Sequence, residues 1–214
     1  MNNLTNNLNN HLKMIPLDFR KKLNVKTIIA LLAMLVFPFI NNAQTVQTFT
    51  GNGTFTVPVG VTELTVEVWG AGGAGGSPKY SRHSSGGGGG GAYSRSSIAV
   101  SVGQVHTITV GQGGVAQYKL SGTNGGNSWF SSPSVVFAEG GFGGLPAETS
   151  SGAAGGAGGS ASNGIGDVRF SGGNGGDGVT STTGAGGGGG SSAGNAANGN
   201  NGGNGSSSNN LKFT

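Results

Sequence analysis

Glycine limits what this chain can fold into more than any other feature of its sequence. All 48 glycines follow residue 50, and they include an unbroken run from Gly86 to Gly91. Because glycine loses more backbone entropy on ordering than any other residue, ordered glycine blocks need a compensating interaction. A collagen triple helix requires glycine at every third position together with abundant proline, and the Gly86 to Gly91 run breaks that period. The chain is therefore not collagen-like.

The glycine blocks allow two interpretations, a flexible linker or an ordered bundle. Low-complexity glycine-rich chains commonly act as flexible linkers. Alternatively, they form polyproline-II-type helices, whose backbone N–H and C=O groups must then pair between neighbouring helices. Ala71 to Gly76 repeats Ala-Gly-Gly, which leaves two helix faces bare and places one methyl group on the third. We therefore expect polyglycine-II-type helical bundle insertions between strands.

The strand-forming segments lie between the glycine blocks and alternate in polarity. From Glu63 to Trp69, the apolar Leu64, Val66 and Val68 share one face. Further strands are predicted at 46–50, 54–57, 98–102, 105–110, 128–130, 135–139, 168–170 and 211–213. Gly51 to Gly53 is predicted to be a hairpin turn between the first pair, and Gly103-Gln104 a tight connection between 98–102 and 105–110. This pattern predicts an all-β antiparallel sandwich.

Residues 1–43 are predicted to be an N-terminal extension and signal peptide. The cationic stretch from Arg20 to Lys26 precedes an apolar run from Thr27 to Ile40, and a small residue, Ala43, follows. The apolar run is shorter than the ~20 residues of a membrane-spanning helix. We expect cleavage near Ala43, a mature single domain of residues 44–214 at the cell surface or secreted, and no membrane span after cleavage. Whether Met1 or Met14 is the start, and whether Thr214 ends a fragment, stays open.

The charge distribution argues against a nucleic-acid partner. Of the 11 basic and 7 acidic residues, 5 basic and 1 acidic precede residue 44, which leaves six of each sign in the mature chain. Nucleic-acid binding needs a basic stripe that displaces counterions from phosphates. The absence of cysteine also excludes disulfides and thiolate metal sites.

The segments 54–76 (TFTVPVGVTELTVEVWGAGGAGG) and 86–114 (GGGGGGAYSRSSIAVSVGQVHTITVGQGG) carry a family resemblance. In the order of strand, glycine block and strand pair, the chain resembles the glycine-rich domain of bacterial surface proteins and phage tail-fibre proteins. It is also similar to the glycine-rich domain of anaplastic lymphoma kinase-type receptors. The resemblance covers roughly residues 45–214. It implies a jelly-roll-like antiparallel β-sandwich with projecting polyglycine-II helices, and it implies no particular ligand.

Several short motifs match the sequence patterns of enzyme or metal sites but lack the structural context that such sites need. Gly70 to Gly75 spells GxGxxG, but no helix can follow Ser77-Pro78, so the phosphate-binding helix N-terminus is missing. Gly172 to Val179 fits one calcium-binding nonapeptide, a motif that works only in tandem copies. His83 and His106 are the only histidines of the mature chain, and no serine sits in a GxSxG turn. We predict no enzymatic activity, no cofactor and no metal.

The interpretation that remains is a structural or adhesive surface module. Loop residues are the candidates for contact with a protein or glycan partner: Lys79, Tyr80, Arg82, His83, Tyr118 and Lys119. For these loop tyrosines, packing is the favoured alternative to partner contact. The alternative function is an ice- or surface-binding, antifreeze-like polyglycine-II protein, suggested by Ala71/Ala74 and Ala154/Ala157.

Overall fold

Short antiparallel strands in two sheets make up the regular secondary structure of the chain. The computed structural model describes residues 45–80, 83–148, 151–179 and 185–207. The strands are β1 (Gly53–Thr56), β2 (Glu63–Trp69), β3 (Tyr93–Ala99), β4 (Val105–Thr109), β5 (Ser128–Phe130), β6 (Val136–Ala138) and β7 (Val168–Phe170). All of them lie in the structural unit Thr48–Thr214. No helix is assigned within the described ranges, so the predicted all-β class is confirmed.

The strands pair as β1-β4-β5-β6 in one sheet and β2-β3-β7 in the other. Every pairing is antiparallel. Buried Val68, Phe130, Val136 and Ala138 form the core between the sheets, with Leu64, Val66, Ile98 and Ile108 packed against them. The predicted inward face of β2 is therefore confirmed. Because the core draws on both sheets, their apolar faces are buried against each other.

The predictions of a strand at 46–50 and of a hairpin turn at 51–53 were wrong. Residues 46–50 form no strand, so Gly51 to Gly53 is not a hairpin turn, and β1 pairs with β4 instead. Asn52 has another role, since its Oδ1 accepts a hydrogen bond from Val110 N at 2.8 Å. The tight connection at Gly103-Gln104 is present, since Gln104 N donates to Ser101 O at 3.1 Å and Gly103 has φ 79°. It joins strands of different sheets. The predicted strand at 211–213 lies outside the described residues.

The glycine blocks form a network of extended segments, hereafter the glycine lattice, held by backbone hydrogen bonds at every third residue. Gly70, Gly73 and Gly76 N–H groups donate to the carbonyls of Ala92, Gly89 and Gly86 at 2.8–3.0 Å, and Ala71, Ala74 and Ser77 donate in the same way to Gly126, Thr123 and Leu120. The lattice comprises 70–77, 84–92, 111–115, 120–127, 139–147, 152–160, 171–179, 185–193 and 198–206. These bonds supply the interaction that ordered glycine requires.

The segment 84–92 is the central segment of this lattice. Its backbone bonds reach five neighbours, namely 70–77, 139–147, 152–160, 171–179 and 185–193. A Cβ added at any residue from Gly86 to Gly91 would overlap a neighbouring backbone carbonyl. This position explains why the longest glycine run occurs here, because each Cβ direction along the run meets a neighbouring backbone and leaves no room for a side chain. Among the described residues, no helix is long and apolar enough to cross a bilayer.

Replacing a glycine of the central segment should destabilise the fold. The methyl group of Gly89→Ala would overlap the Ala157 carbonyl, and such overpacking typically costs about 1–3 kcal/mol. Gly113→Ala is the matched control, because nothing lies within 4 Å of its added Cβ. Urea unfolding followed by circular dichroism measures both. Equal unfolding midpoints for the two variants would contradict the enclosed position of the central segment.

A buried tyrosine joins the β2-β3-β7 sheet to the glycine lattice. Tyr93 is fully buried, and its ring lies 4.9 Å from Trp69 and 6.2 Å from Phe170, centroid to centroid. Its hydroxyl donates to Glu67 Oε1 at 2.7 Å. Burial, together with the hydrogen bond to Glu67, raises the pKa of Tyr93 to about 12 from 10.0. The folded protein therefore holds this proton more tightly than the unfolded chain does.

Tyr93 should make the fold sensitive to alkali. Because its pKa is raised in the folded state, stability is unaffected below about pH 10 and falls as the pH rises from about 10 to about 12. Over this range, the wild type should lose stability relative to Tyr93→Phe, measured by thermal unfolding at successive pH values. Tyr118→Phe removes an exposed tyrosine and should follow the wild type. Parallel curves for the wild type and Tyr93→Phe would rule out this linkage.

Candidate functional site

Two loops at one end of the glycine lattice enclose a shallow groove of about 420 Å³. The first loop follows the segment 70–77, at the end remote from β2, and the second joins 111–115 to 120–127. The groove is lined by Ser77, Pro78, Lys79, Tyr80, Tyr118 and Lys119. We call this surface the tip groove.

Backbone hydrogen bonds hold the two loops together. Ser77 N donates to Leu120 O at 2.9 Å and continues the three-residue period of the lattice. Leu120 N donates to Gln117 O at 3.3 Å, which closes the turn carrying Tyr118 and Lys119. Lys119 has φ 61°, a left-handed conformation that is uncommon for a residue with a side chain. The turn therefore holds both side chains beside the first loop.

The two lysines of the tip groove have different surroundings. Lys79 Nζ lies 2.7 Å from Glu148 Oε1, in a partly exposed ion pair, and its backbone N donates to Ala147 O at 2.9 Å. Lys119 Nζ lies 5.2 Å from the Tyr118 ring centroid, a cation–π distance. Lys119 forms no ion pair within the described residues. Among the described residues that line the groove, Lys119 therefore carries the positive charge that no ion pair occupies.

The tyrosines supply exposed aromatic area. Tyr118 is 82 % exposed and Tyr80 is 63 % exposed. The His83 ring meets Tyr80 edge to face at 5.7 Å, and His83 Nδ1 is buried without a hydrogen-bond partner in the described structure. Tyrosine combines a rigid apolar ring with a polar hydroxyl, which suits protein and sugar surfaces. The groove can thus stack against a ligand and hydrogen-bond to it.

The structure brings together most of the contact residues predicted from the sequence. Lys79, Tyr80, Tyr118 and Lys119 line one groove, and His83 adjoins it through Tyr80. Arg82 lies outside the described residues. The sequence reasoning missed Glu148 and the groove wall formed by Ser77 and Pro78. No sequence signal links Glu148 to Lys79, because only the folded lattice brings them together.

Asparagine and aspartate side chains line a second shallow groove, on the side of the lattice. The Asp177 and Asn174 Oδ1 atoms accept hydrogen bonds from Gly155 N and Gly158 N, each at 2.9 Å. The backbone N–H groups of Asn174 and Asp177 in turn donate to Asn201 and Asn204 Oδ1 at 2.9 Å. Side-chain oxygens here take the place of a neighbouring backbone. The sequence motif for calcium falls here, and its only carboxylate already accepts a backbone N–H.

The described residues of both grooves supply polar groups, with aromatic rings in the tip groove, but no metal-binding group. Within the described ranges, no group of three histidine, aspartate or glutamate side chains could hold a metal ion. In the same part of the chain, His106 packs against Phe130 at 4.7 Å between ring centroids, remote in the fold from the tip residues. The tip groove can offer aromatic rings, hydroxyls and an ammonium group to a partner.

Comparison with known families identifies the domain type. A profile described as a glycine-rich domain matches residues 47–212, most of the chain. No similar sequence is found among curated proteins.

Proposed function

Because the chain belongs to the glycine-rich domain family, we propose that it is a secreted, non-enzymatic structural or adhesion module of the cell surface. The observation that carries this proposal is the grouping of Tyr80, Tyr118, Lys79 and Lys119 around one exposed groove. A site that binds a macromolecular surface needs rigid aromatic contacts with polar groups beside them. The groove offers both.

The glycine lattice, in this proposal, is a polyglycine-II bundle that displays the tip groove away from the sandwich. The support is the three-residue period of its backbone hydrogen bonds, since that helix has three residues per turn and no internal hydrogen bonds. The enclosed glycines of the central segment add to it. The sandwich would then follow the jelly-roll connectivity of the bacterial surface, phage tail-fibre and anaplastic lymphoma kinase-type domains.

The partner we propose is a glycan or protein surface on another cell or particle. Tyr118 and Tyr80 would stack on a sugar ring or an apolar side chain, while Lys119 would donate to hydroxyl or carboxylate oxygens. Lys79 is held by Glu148 and would position the loop. Neither a nucleic acid nor a cofactor is required.

Surface display can be tested on the producing cells. Protease shaving of intact cells followed by mass spectrometry should release peptides from 45–214, with a mature N-terminus near Gln44 and no peptides from 1–43. The physical reason is the charged, apolar and small-residue order of the leader. A chain found only inside the cell, with residues 27–40 intact, would reject the secreted role.

The tip groove should carry the adhesion. Tyr80→Ala and Tyr118→Ala should each weaken binding to an array of neutral and acidic oligosaccharides by about tenfold, the usual effect of removing a central aromatic contact. Phe142→Ala is the matched control, because Phe142 is 40 % exposed and does not line the groove. Binding that survives both tyrosine changes but falls with Phe142→Ala would place the contact surface elsewhere.

Ice or surface binding is the second candidate function. One observation favours it: Ala154 and Ala157 are both exposed at a three-residue spacing, beside the regular asparagine positions 174, 201 and 204. Thermal hysteresis of the purified protein distinguishes the candidates. Hysteresis that persists in Tyr118→Ala would favour ice binding over adhesion.

A further inference from the structure

The central segment of the glycine lattice is unpaired on one side. The N–H groups of Gly86 and Gly89 donate to the segment 139–147, and those of Gly87 and Gly90 donate to 171–179. By the three-residue period, Gly88 and Gly91 should donate in a third direction. Both residues are buried, yet their N–H groups have no hydrogen-bond partner among the described residues. Buried backbone donors are nearly always paired, so this side points to a missing acceptor.

Carbonyl groups without a partner flank these donors. Gly73 and Gly76 carbonyls accept no hydrogen bond within the described part of the chain, and neither do those of Gly187 and Gly190. The Gly73 carbonyl lies directly against Gly88, because a Cβ added at Gly88 would overlap it. One row of free donors thus runs along the lattice between two rows of free acceptors. We call this edge the open slot.

One carbonyl group in the row of segment 185–193 already accepts a hydrogen bond from a side chain outside the lattice. Ala193 follows Gly187 and Gly190 at the same three-residue spacing, and its carbonyl accepts a hydrogen bond from Trp69 Nε1 at 3.2 Å. The indole therefore closes the slot beside the β2-β3-β7 sheet. Beyond it, no described side chain donates to Gly187 or Gly190.

Packing against the described residues does not require glycine at the positions that wall the slot. A Cβ added at Gly72 or Gly75 would lie 3.6 Å from its nearest neighbour atom, and one at Gly189 would lie 3.7 Å away. These are ordinary contacts, whereas the glycines of the central segment would overlap a carbonyl. Bare glycine at these three positions leaves room for a further backbone.

We propose that the open slot binds an extended, glycine-rich segment of another polypeptide, which adds one more chain to the lattice. The inference rests on the proposed polyglycine-II bundle. The carbonyls of the added segment accept from Gly88 and Gly91, and its N–H groups donate to the rows of Gly73 and Gly190. This is the counterpart of strand addition at a sheet edge, where backbone hydrogen bonds provide affinity.

The chemistry of the slot selects glycine in the partner. The slot has backbone on its floor and on both walls, so every face of the added segment except the outer one must be bare. A partner with two glycines in each three residues meets this need, as the segment from Ala71 to Gly76 does within this chain. The glycine segments of the described ranges already pair with one another, so the occupant that we propose is a segment of a second molecule.

A synthetic peptide tests the slot directly. The probe is a fluorescent Gly-Gly-Ala repeat of about twelve residues, which spans four turns at ~3.1 Å per residue. The control peptide has alanine in place of one glycine in each repeat. Fluorescence anisotropy with the purified protein should give saturable binding of the first peptide and at least tenfold weaker binding of the second. Amide hydrogen exchange at Gly88 should slow when the first peptide binds.

Matched protein variants locate the binding. Gly72→Ala combined with Gly189→Ala fills both walls without an internal clash and should reduce peptide affinity at least tenfold. Gly113→Ala combined with Gly203→Ala adds the same two methyl groups where nothing lies within 4 Å and should bind like the wild type. Tyr80→Ala and Tyr118→Ala should also leave peptide binding unchanged, which separates the slot from the tip groove.

Two results would overturn the proposal. Equal affinity in the slot variant and its control would place the peptide elsewhere. If the wild-type protein does not bind the peptide and its Gly88 amide exchanges rapidly, the Gly88 N–H group is bonded to water and the slot binds no chain. A concentration-dependent dimer in sedimentation that is lost in the slot variant would instead support the proposal and identify the occupant as a second copy of this chain.

Discussion

The fold depends on backbone hydrogen bonds that recur at every third residue between extended glycine segments. With this period, successive N–H groups point in three directions, so one segment can bind several neighbours at once. The central segment 84–92 reaches five of them. A strand in a sheet pairs with two neighbours at most, because its side chains occupy the other two directions. Glycine removes that limit, and the added hydrogen bonds compensate for its entropic cost.

The sandwich and the glycine lattice are continuous at a defined point. Trp69 pairs with Tyr93 at the end of the β2–β3 ladder, and the next backbone bond joins Gly70 N to Ala92 O at 2.9 Å. The period changes there from two residues to three. Tyr93, buried against Trp69 and Phe170, excludes water from this junction. The lattice that carries the tip groove is thus hydrogen-bonded directly to the end of the sheet.

Local patterns predicted much of this architecture, and the remainder depends on tertiary pairing. Strict alternation identified β2 and its buried face. The start of β3 was placed too late, because Tyr93 to Ser97 is mostly polar and shows no alternation, although Tyr93 and Ser94 are buried. The partner of β1 was wrong, because a Gly-Asn-Gly turn is local whereas pairing with β4 is not. The residue types of the tip loops were enough to predict their candidate contact residues. The ion pair between Lys79 and Glu148 was not predictable, because only the folded lattice brings these residues together.

The edges of the lattice differ in whether side chains bond their free backbone N–H groups. This difference concerns the open slot. An open backbone edge attracts further chains, and proteins usually block such edges. Along 152–160 and 171–179, asparagine and aspartate oxygens block the edge at three-residue spacing. Asn124 and Asn127 do the same for Gly143 and Gly140. Beside Gly88, no described side chain plays this role, and glycine lines both walls. Side chains thus cap several edges of the lattice but not the edge beside its most buried segment, and this contrast supports the proposal that the slot accepts a backbone from another molecule.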